Sequence, residues 1–349
     1  MASILRQVFS NRNIITISTT NMLYNIFNGL WELWWTLYLI EVLDTPIVIV
    51  GLLATIQNTS RILFQLPGGI LADRVGRKRV IVFGTSMRVI APITLLMARS
   101  WPWVVPGMVI NAVASLYSPA FNAIIAESLP EERRGAAFGA YRMLTSTPQI
   151  FMPVVSGYYL DVMGIGRGVR VGLMLFTVAA AIAATARAIF LRETLHNDEA
   201  ARDPDAPGGD QATERKSALG TLRHLPRTII AMLVVSVIAG FAMRMVWSFL
   251  PAYATYEVGL TTTQYGLLQT VAMGISVPLY LFSGIIADRF GRVPCILLAR
   301  GLGPVDSFSL LLLRDYRQLL AAYSIIGVAG GPVSYTHLRA HETRHDLVC

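Results

Sequence analysis

The sequence has two cysteines, Cys295 and Cys349, too few and too far apart for a disulfide framework. Charge is also scarce: 14% of the residues are Asp, Glu, Lys or Arg against 54% apolar, and the mean hydropathy is +0.54. A formal charge of +8 suggests a nucleic-acid partner, but the basic residues sit in short turns and form no continuous stripe, so none is expected. No Gly-x-x-x-x-Gly-Lys-Ser/Thr run occurs, so any work the chain does is expected to be driven by a gradient. The start, MASILRQVFSNRN, has no signal-peptide pattern with a cleavage site, which leaves the first apolar span to direct insertion.

What is present is apolar sequence in blocks of about 20 residues, the length that crosses a bilayer. Runs such as Leu173 to Ile189 are apolar all round, where a soluble helix would have a polar face. The pattern predicts an all-α polytopic membrane protein with ten spans, at 14–40, 46–70, 80–98, 103–126, 137–160, 170–191, 227–251, 262–286, 294–313 and 318–333. Residues 192–226, rich in charge, Pro and Gly, read as a flexible cytoplasmic linker between a six-helix bundle (1–191) and an incomplete four-helix bundle (227–333). With the amino terminus inside, the inner segments hold sixteen Lys and Arg, while the outer turns hold only Arg99, Arg167, Arg170, Arg314 and Arg317. That asymmetry predicts a multi-pass inner-membrane protein with a cytoplasmic amino terminus and anionic lipid head groups as partners.

An internal repeat carries the most information. Gly51-Leu-Leu-Ala-Thr55 returns as Gly266-Leu-Leu-Gln-Thr270, and Gly69-Ile-Leu-Ala-Asp-Arg-Val-Gly-Arg77 returns as Gly284-Ile-Ile-Ala-Asp-Arg-Phe-Gly-Arg292, both offset by 215. One register over a whole helix and its turn implies two halves of the same topology, related by an axis along the membrane normal. The repeated turn closely resembles the loop signature of the major facilitator superfamily of secondary transporters, and the resemblance covers residues 14 to about 333. It implies two pseudo-twofold bundles, with ten of an expected twelve helices present. The turn itself is expected to latch one bundle to the other through Asp73, Arg74, Arg77, Asp288 and Arg289. From the residues alone, Gly69 and Gly284 suit a close helix approach, Gly76 and Gly291 a tight turn, and Arg292 a head-group anchor. Asp73 and Asp288 read as ion-pair or capping partners.

Polar side chains recur at helical spacing on two spans, Asn21, Asn25, Asn28 and Glu32 on the first and Asn111, Ser115, Ser118 and Asn122 on the fourth. The family builds its cavity partly from these helices, so the candidate cavity residues are Asn25, Asn28, Glu32, Asn111, Ser115, Arg244 and Trp247. Amides and hydroxyls there serve equally well to bond helix to helix. Glu32 and Arg244 are deep and repeat-related, which suggests a proton or cation carrier with its counter-ion. Arg142, Arg187 and Arg300 read as structural residues that snorkel, and Arg61 and Arg88 as weaker candidates that brace neighbouring helices.

The parent protein is therefore expected to move a small solute by alternating access, coupled to protons and directed outward, as a monomer without cofactor or metal. Direction rests on degenerate family patterns, Asn111 near the usual antiporter arginine and Pro148, Pro153, Ser156 and Gly157 where antiporters carry a glycine-rich run. Uptake of a metabolite or sugar, or a receptor without transport, are the alternatives; no paired Asp, His or Ser constellation suggests an enzyme. The tail 334–349 reads as foreign sequence, so the chain as given is expected not to transport. Within it, His341-Glu-Thr-Arg-His345 has the form of a zinc-protease motif but lacks a third ligand and a surrounding domain.

Overall fold

The structure, a computed structural model, describes residues 11–128, 134–194, 246–290 and 305–339. Among the described residues there is helix and no strand. The first span is α1 (Arg12–Asn28) plus α2 (Trp35–Glu41), the second is α3 (Ile47–Val75) and the third α4 (Arg77–Met97). The fourth is α5 (Val104–Ala114) plus α6 (Tyr117–Ser128), the fifth α7 (Arg134–Met163) and the sixth α8 (Ile165–Phe190). Then α9 (246–256) ends the seventh span, α10 (Thr262–Phe290) forms the eighth, α11 (Val305–Leu312) ends the ninth and α12 (Tyr316–Arg339) forms the tenth. Helix thus falls in all ten expected spans. One boundary differs: α12 runs on to Arg339, past the expected end at 333, since no Gly or Pro follows Pro332 to stop it.

Two spans are interrupted in mid-course, which the apolar pattern does not announce. In the first, Leu30 and Trp31 donate backbone hydrogen bonds to Phe27 and Asn28, three residues back, and a 3-10 turn (Glu32–Trp34) precedes α2. In the fourth, Pro119 has no N–H to give the carbonyl of Ser115, so Ser118 donates to it instead at 3.1 Å and the helix restarts at Tyr117.

The apolar surface divides as a bilayer requires. Ile62, Leu63 and Ile70 of α3 and Met174, Val178 and Ile182 of α8 are exposed, as lipid-facing side chains are. By length and hydropathy, Ile47–Val75, Arg77–Met97, Trp101–Ser128 and Ile165–Phe190 are able to cross a membrane. Two separate cores lie beneath. One, at the end that the charge count puts outside, joins both halves through Trp34, Leu37, Tyr38, Leu250, Tyr265, Leu268 and Tyr323. The other, at the opposite end, is built among the described residues from the first half, by Ile14, Ile17, Ile81, Ile124, Ile125 and Leu191.

Candidate functional site

The signature turn is built as a glycine corner held by two glutamates. Gly76 joins α3 to α4 at φ +105°, a region L side chains avoid. Glu193, just past α8, accepts from the backbone N–H of Arg77 and of Lys78, each at 3.0 Å, and so caps the first turn of α4. Arg77 pairs with Glu127 at the end of α6. The capping role expected of Asp73 is thus filled by Glu193; Asp73 and Arg74 are exposed. The closest helix approach is one residue from the expected one: a Cβ on Gly68 would lie 2.2 Å from the Leu116 carbonyl oxygen, against 3.8 Å from Pro119 for Gly69. Gly284, Asp288 and Arg289 lie on α10, and Gly291 and Arg292 lie outside the described residues.

Deeper in the first half, the two helix interruptions face one polar cluster. Asn28 donates to the Glu32 carboxylate, and Glu32 is exposed at the break of the first span. Arg88 of α4 donates to the Tyr24 hydroxyl, and its guanidinium lies 5.0 Å from the Tyr24 ring centroid and 5.3 Å from that of Tyr117. Other members of the two polar stripes are committed to structure. Asn25 donates to the Thr145 carbonyl at 2.8 Å, and buried Ser115 donates to the carbonyls of Ala112 and Arg61. Asn111 is half-buried; Trp247 is 47% exposed on α9, and Arg244 lies outside the described residues.

Arg187, expected to snorkel, is instead 1% exposed. Its Nε donates to Thr20, Nη1 to Thr85 and Nη2 to the Asn21 amide oxygen, at 2.9 to 3.2 Å, and it stacks 5.0 Å from the Phe121 centroid. One guanidinium therefore ties α1, α4, α6 and α8 together. Asn21 belongs to the first polar stripe, but Thr20 and Thr85 read as ordinary helix residues, with nothing in the spacing of the three to mark a shared partner.

The halves meet from mid-membrane to the outer end. Asp161, at the end of α7, accepts from the backbone N–H and hydroxyl of Thr262 (3.1 and 2.6 Å) and from those of Thr263 (2.9 and 2.5 Å). Burial pushes the Asp161 carboxyl up, but these four bonds outweigh it and hold it below the usual carboxylate range. Gly157 and Gly266 allow the approach, since a Cβ on either would fall 2.3 Å from the Thr262 carbonyl oxygen and 2.2 Å from that of Pro153. Tyr256 donates to Glu41 at 2.7 Å, and Val154 N–H donates to Thr270 Oγ1 at 3.2 Å. Burial, and then Glu41 beside it, push the Tyr256 hydroxyl up.

The Major Facilitator Superfamily model matches residues 10–342. The chain belongs to the major facilitator superfamily. Among curated relatives it is 24% identical over 283 residues to a putative proline/betaine transporter of Staphylococcus aureus, covering 74% of this chain and 58% of that one. It is 32% identical over 120 residues to the uncharacterized MFS-type transporter YhjO of Bacillus subtilis, 34% of this chain and 30% of that one. It is 27% identical over 115 residues to the multi-drug resistance efflux pump PmrA of Streptococcus pneumoniae, 33% of this chain and 29% of that one. These matches span from under a third to somewhat over half of the relatives' length. Among solved structures, the nucleoside transporter NupG superposes with a TM-score of 0.68 at 12% identity over 95% of this chain and 82% of that one. The xylose transporter XylE from E. coli gives 0.62 at 15% identity over 94% and 88%. The superfamily fold, with ten helical spans in two bundles, is the frame for the site.

Proposed function

We propose that this superfamily member is a secondary active transporter of a small solute in the cytoplasmic membrane, with its amino terminus inside, coupled to protons through Glu32 and directed outward. The observation that carries the reading is the position of Glu32: an exposed carboxylate at an interruption of the first span, bonded to Asn28, with the halves joined on its outer side. Interrupted helices near the membrane midplane free backbone groups for solute and ion, and a carboxylate there is a functional group by default. Loss of its charge on protonation changes the cost of enclosing it between the bundles, which links proton binding to closure. Arg244, Asn111 and Trp247 complete the cavity from the facing elements, and the repeated turns, including Asp288, Arg289 and Arg292, set the inward–outward balance. The protein acts as a monomer. An open cleft of about 1080 Å³ beside the first turn, lined by Arg74, Lys78, Arg79 and Phe83, suits anionic lipid head groups.

Outward direction is supported by the similarity to an efflux pump; the longer match to a putative proline/betaine transporter favours uptake of a zwitterion as the second reading. The coupling is tested with spin labels at Val162 and Glu257, on the outer ends of the two halves, in lipid nanodiscs over a pH series. Wild type is expected to show an outer spacing that responds to pH, and Glu32→Gln a spacing that does not. An unchanged pH response in Glu32→Gln removes the proton role.

A further inference from the structure

We propose that Arg88 is the anchor for a carboxylate on the transported solute. The inference rests on the reading of the chain as a transporter and adds the substrate class to it. Arg88 sits where the two interrupted spans meet: Tyr24 lies one turn before the break in the first, and Tyr117 opens the helix after the break in the fourth. Its Nη1 is taken by the Tyr24 hydroxyl, but its Nε is buried with no partner. A buried donor of a charged group left unpaired is costly, and a ligand oxygen repays it.

The neighbouring charges point the same way. Arg187 has already spent Nε, Nη1 and Nη2 on Thr20, Thr85 and Asn21, so it is a strut. Glu32 is close enough for its charge to act on Arg88, yet the two form no ion pair, and Glu32 accepts from Asn28 instead. Around Tyr24 and Tyr117 the charged neighbours are Arg88, Arg187 and Arg61 against Glu32, so the surplus is positive. A planar guanidinium with an unpaired Nε matches a carboxylate better than a hydroxyl or an ammonium group. Aromatic rings pack beside the cluster, Tyr24 edge-on to Phe176 at 4.8 Å and Trp31 5.7 Å from Phe176, centroid to centroid. The solute class is therefore a small carboxylate.

The test uses the purified chain in nanodiscs at one pH, with butyrate, butyramide and butylammonium as probes and intrinsic tryptophan fluorescence as readout, Trp31 being beside the cluster. Butyrate is expected to bind at least about tenfold more tightly than butyramide, the worth of a hydrogen bond to a charged group. Arg88→Gln is expected to erase that preference, and Arg88→Lys to weaken it, because the charge stays and the fork is lost. Wild type that binds butyramide or butylammonium as well as butyrate, or shows no preference because none binds, overturns the proposal without reference to any variant's folding. The proton reading is judged separately, by the pH response of the outer spacing, so either can fail alone.

Discussion

Asp161, the last acidic residue of α7, caps the amino-terminal turn of α10 across the boundary between the halves by accepting four hydrogen bonds from Thr262 and Thr263. A carboxylate at a helix amino terminus satisfies N–H groups the helix cannot, and it sits at the positive end of the helix dipole. Here the cap and the helix belong to different bundles, so opening the outer side must break it.

Asp161→Ala is expected to loosen that closure. With Cys295 and Cys349 replaced by serine and Ser156→Cys as a reporter at a buried site, a membrane-impermeant maleimide should react faster in the Asp161→Ala background, by about fivefold or more for a cap worth ~1 kcal/mol. Equal rates contradict the latch.

The same latch has a pH sign. The folded-state carboxyl of Asp161 is held below its ordinary value, so its contribution to closure is fully present above the unfolded value and is lost as pH falls through the lower, folded one. The ratio of Ser156→Cys labelling in the wild-type background to that in Asp161→Asn, which cancels the loss of thiolate at low pH, should therefore rise only on acidification below the usual carboxylate range, about pH 4. A transition centred near neutrality would assign the pH response elsewhere.

Gly266→Leu places side-chain atoms where a Cβ already lies 2.2 Å from the Pro153 carbonyl oxygen. Overpacking of this kind costs about 1–3 kcal/mol, and the outer ends can avoid it by separating. Spin labels at Val162 and Glu257 are expected to report a longer spacing than wild type, whereas Gly274→Ala, where an added Cβ would lie 3.6 Å from Ile150 Cγ2 in ordinary contact, leaves the spacing unchanged.

Arg187→Met keeps much of the volume but removes the donor that Thr20, Thr85 and Asn21 accept from. The thermal midpoint in detergent is expected to fall by the equivalent of about 1–3 kcal/mol. An unchanged midpoint would show that the strut contributes nothing to the first bundle.

Much of the fold could be read from the chain because lipid imposes it. The ten apolar blocks and the 215-residue repeat between Gly69 and Gly284 follow from span length and topology, which are local in sequence. The turn at Gly76 was legible for the same reason. Glu193 and Glu127 were not, since they come from the ends of other spans and carry no spacing relation to the turn they hold. The break at Ser115 was available in principle, because Pro119 removes one specific hydrogen bond, but an apolar pattern continues across it unbroken. Arg187 misled for a physical reason: a position near a helix end allows snorkelling, and only the three-dimensional packing shows three polar oxygens waiting inside.

The central claim, that the two bundles of this superfamily member rest joined on the outer side and part to expose the Glu32 cluster, is tested most directly by cross-linking Val154→Cys to Thr270→Cys in native membranes. The backbone N–H of Val154 donates to Thr270 Oγ1 at 3.2 Å, which makes the two residues neighbours across the halves. Oxidation, or a short bifunctional reagent, is expected to bridge them within one chain, read by mass spectrometry, with the Val162–Glu257 spacing then fixed at all pH values. Failure of both, with only long bifunctional reagents bridging the pair, would contradict the account.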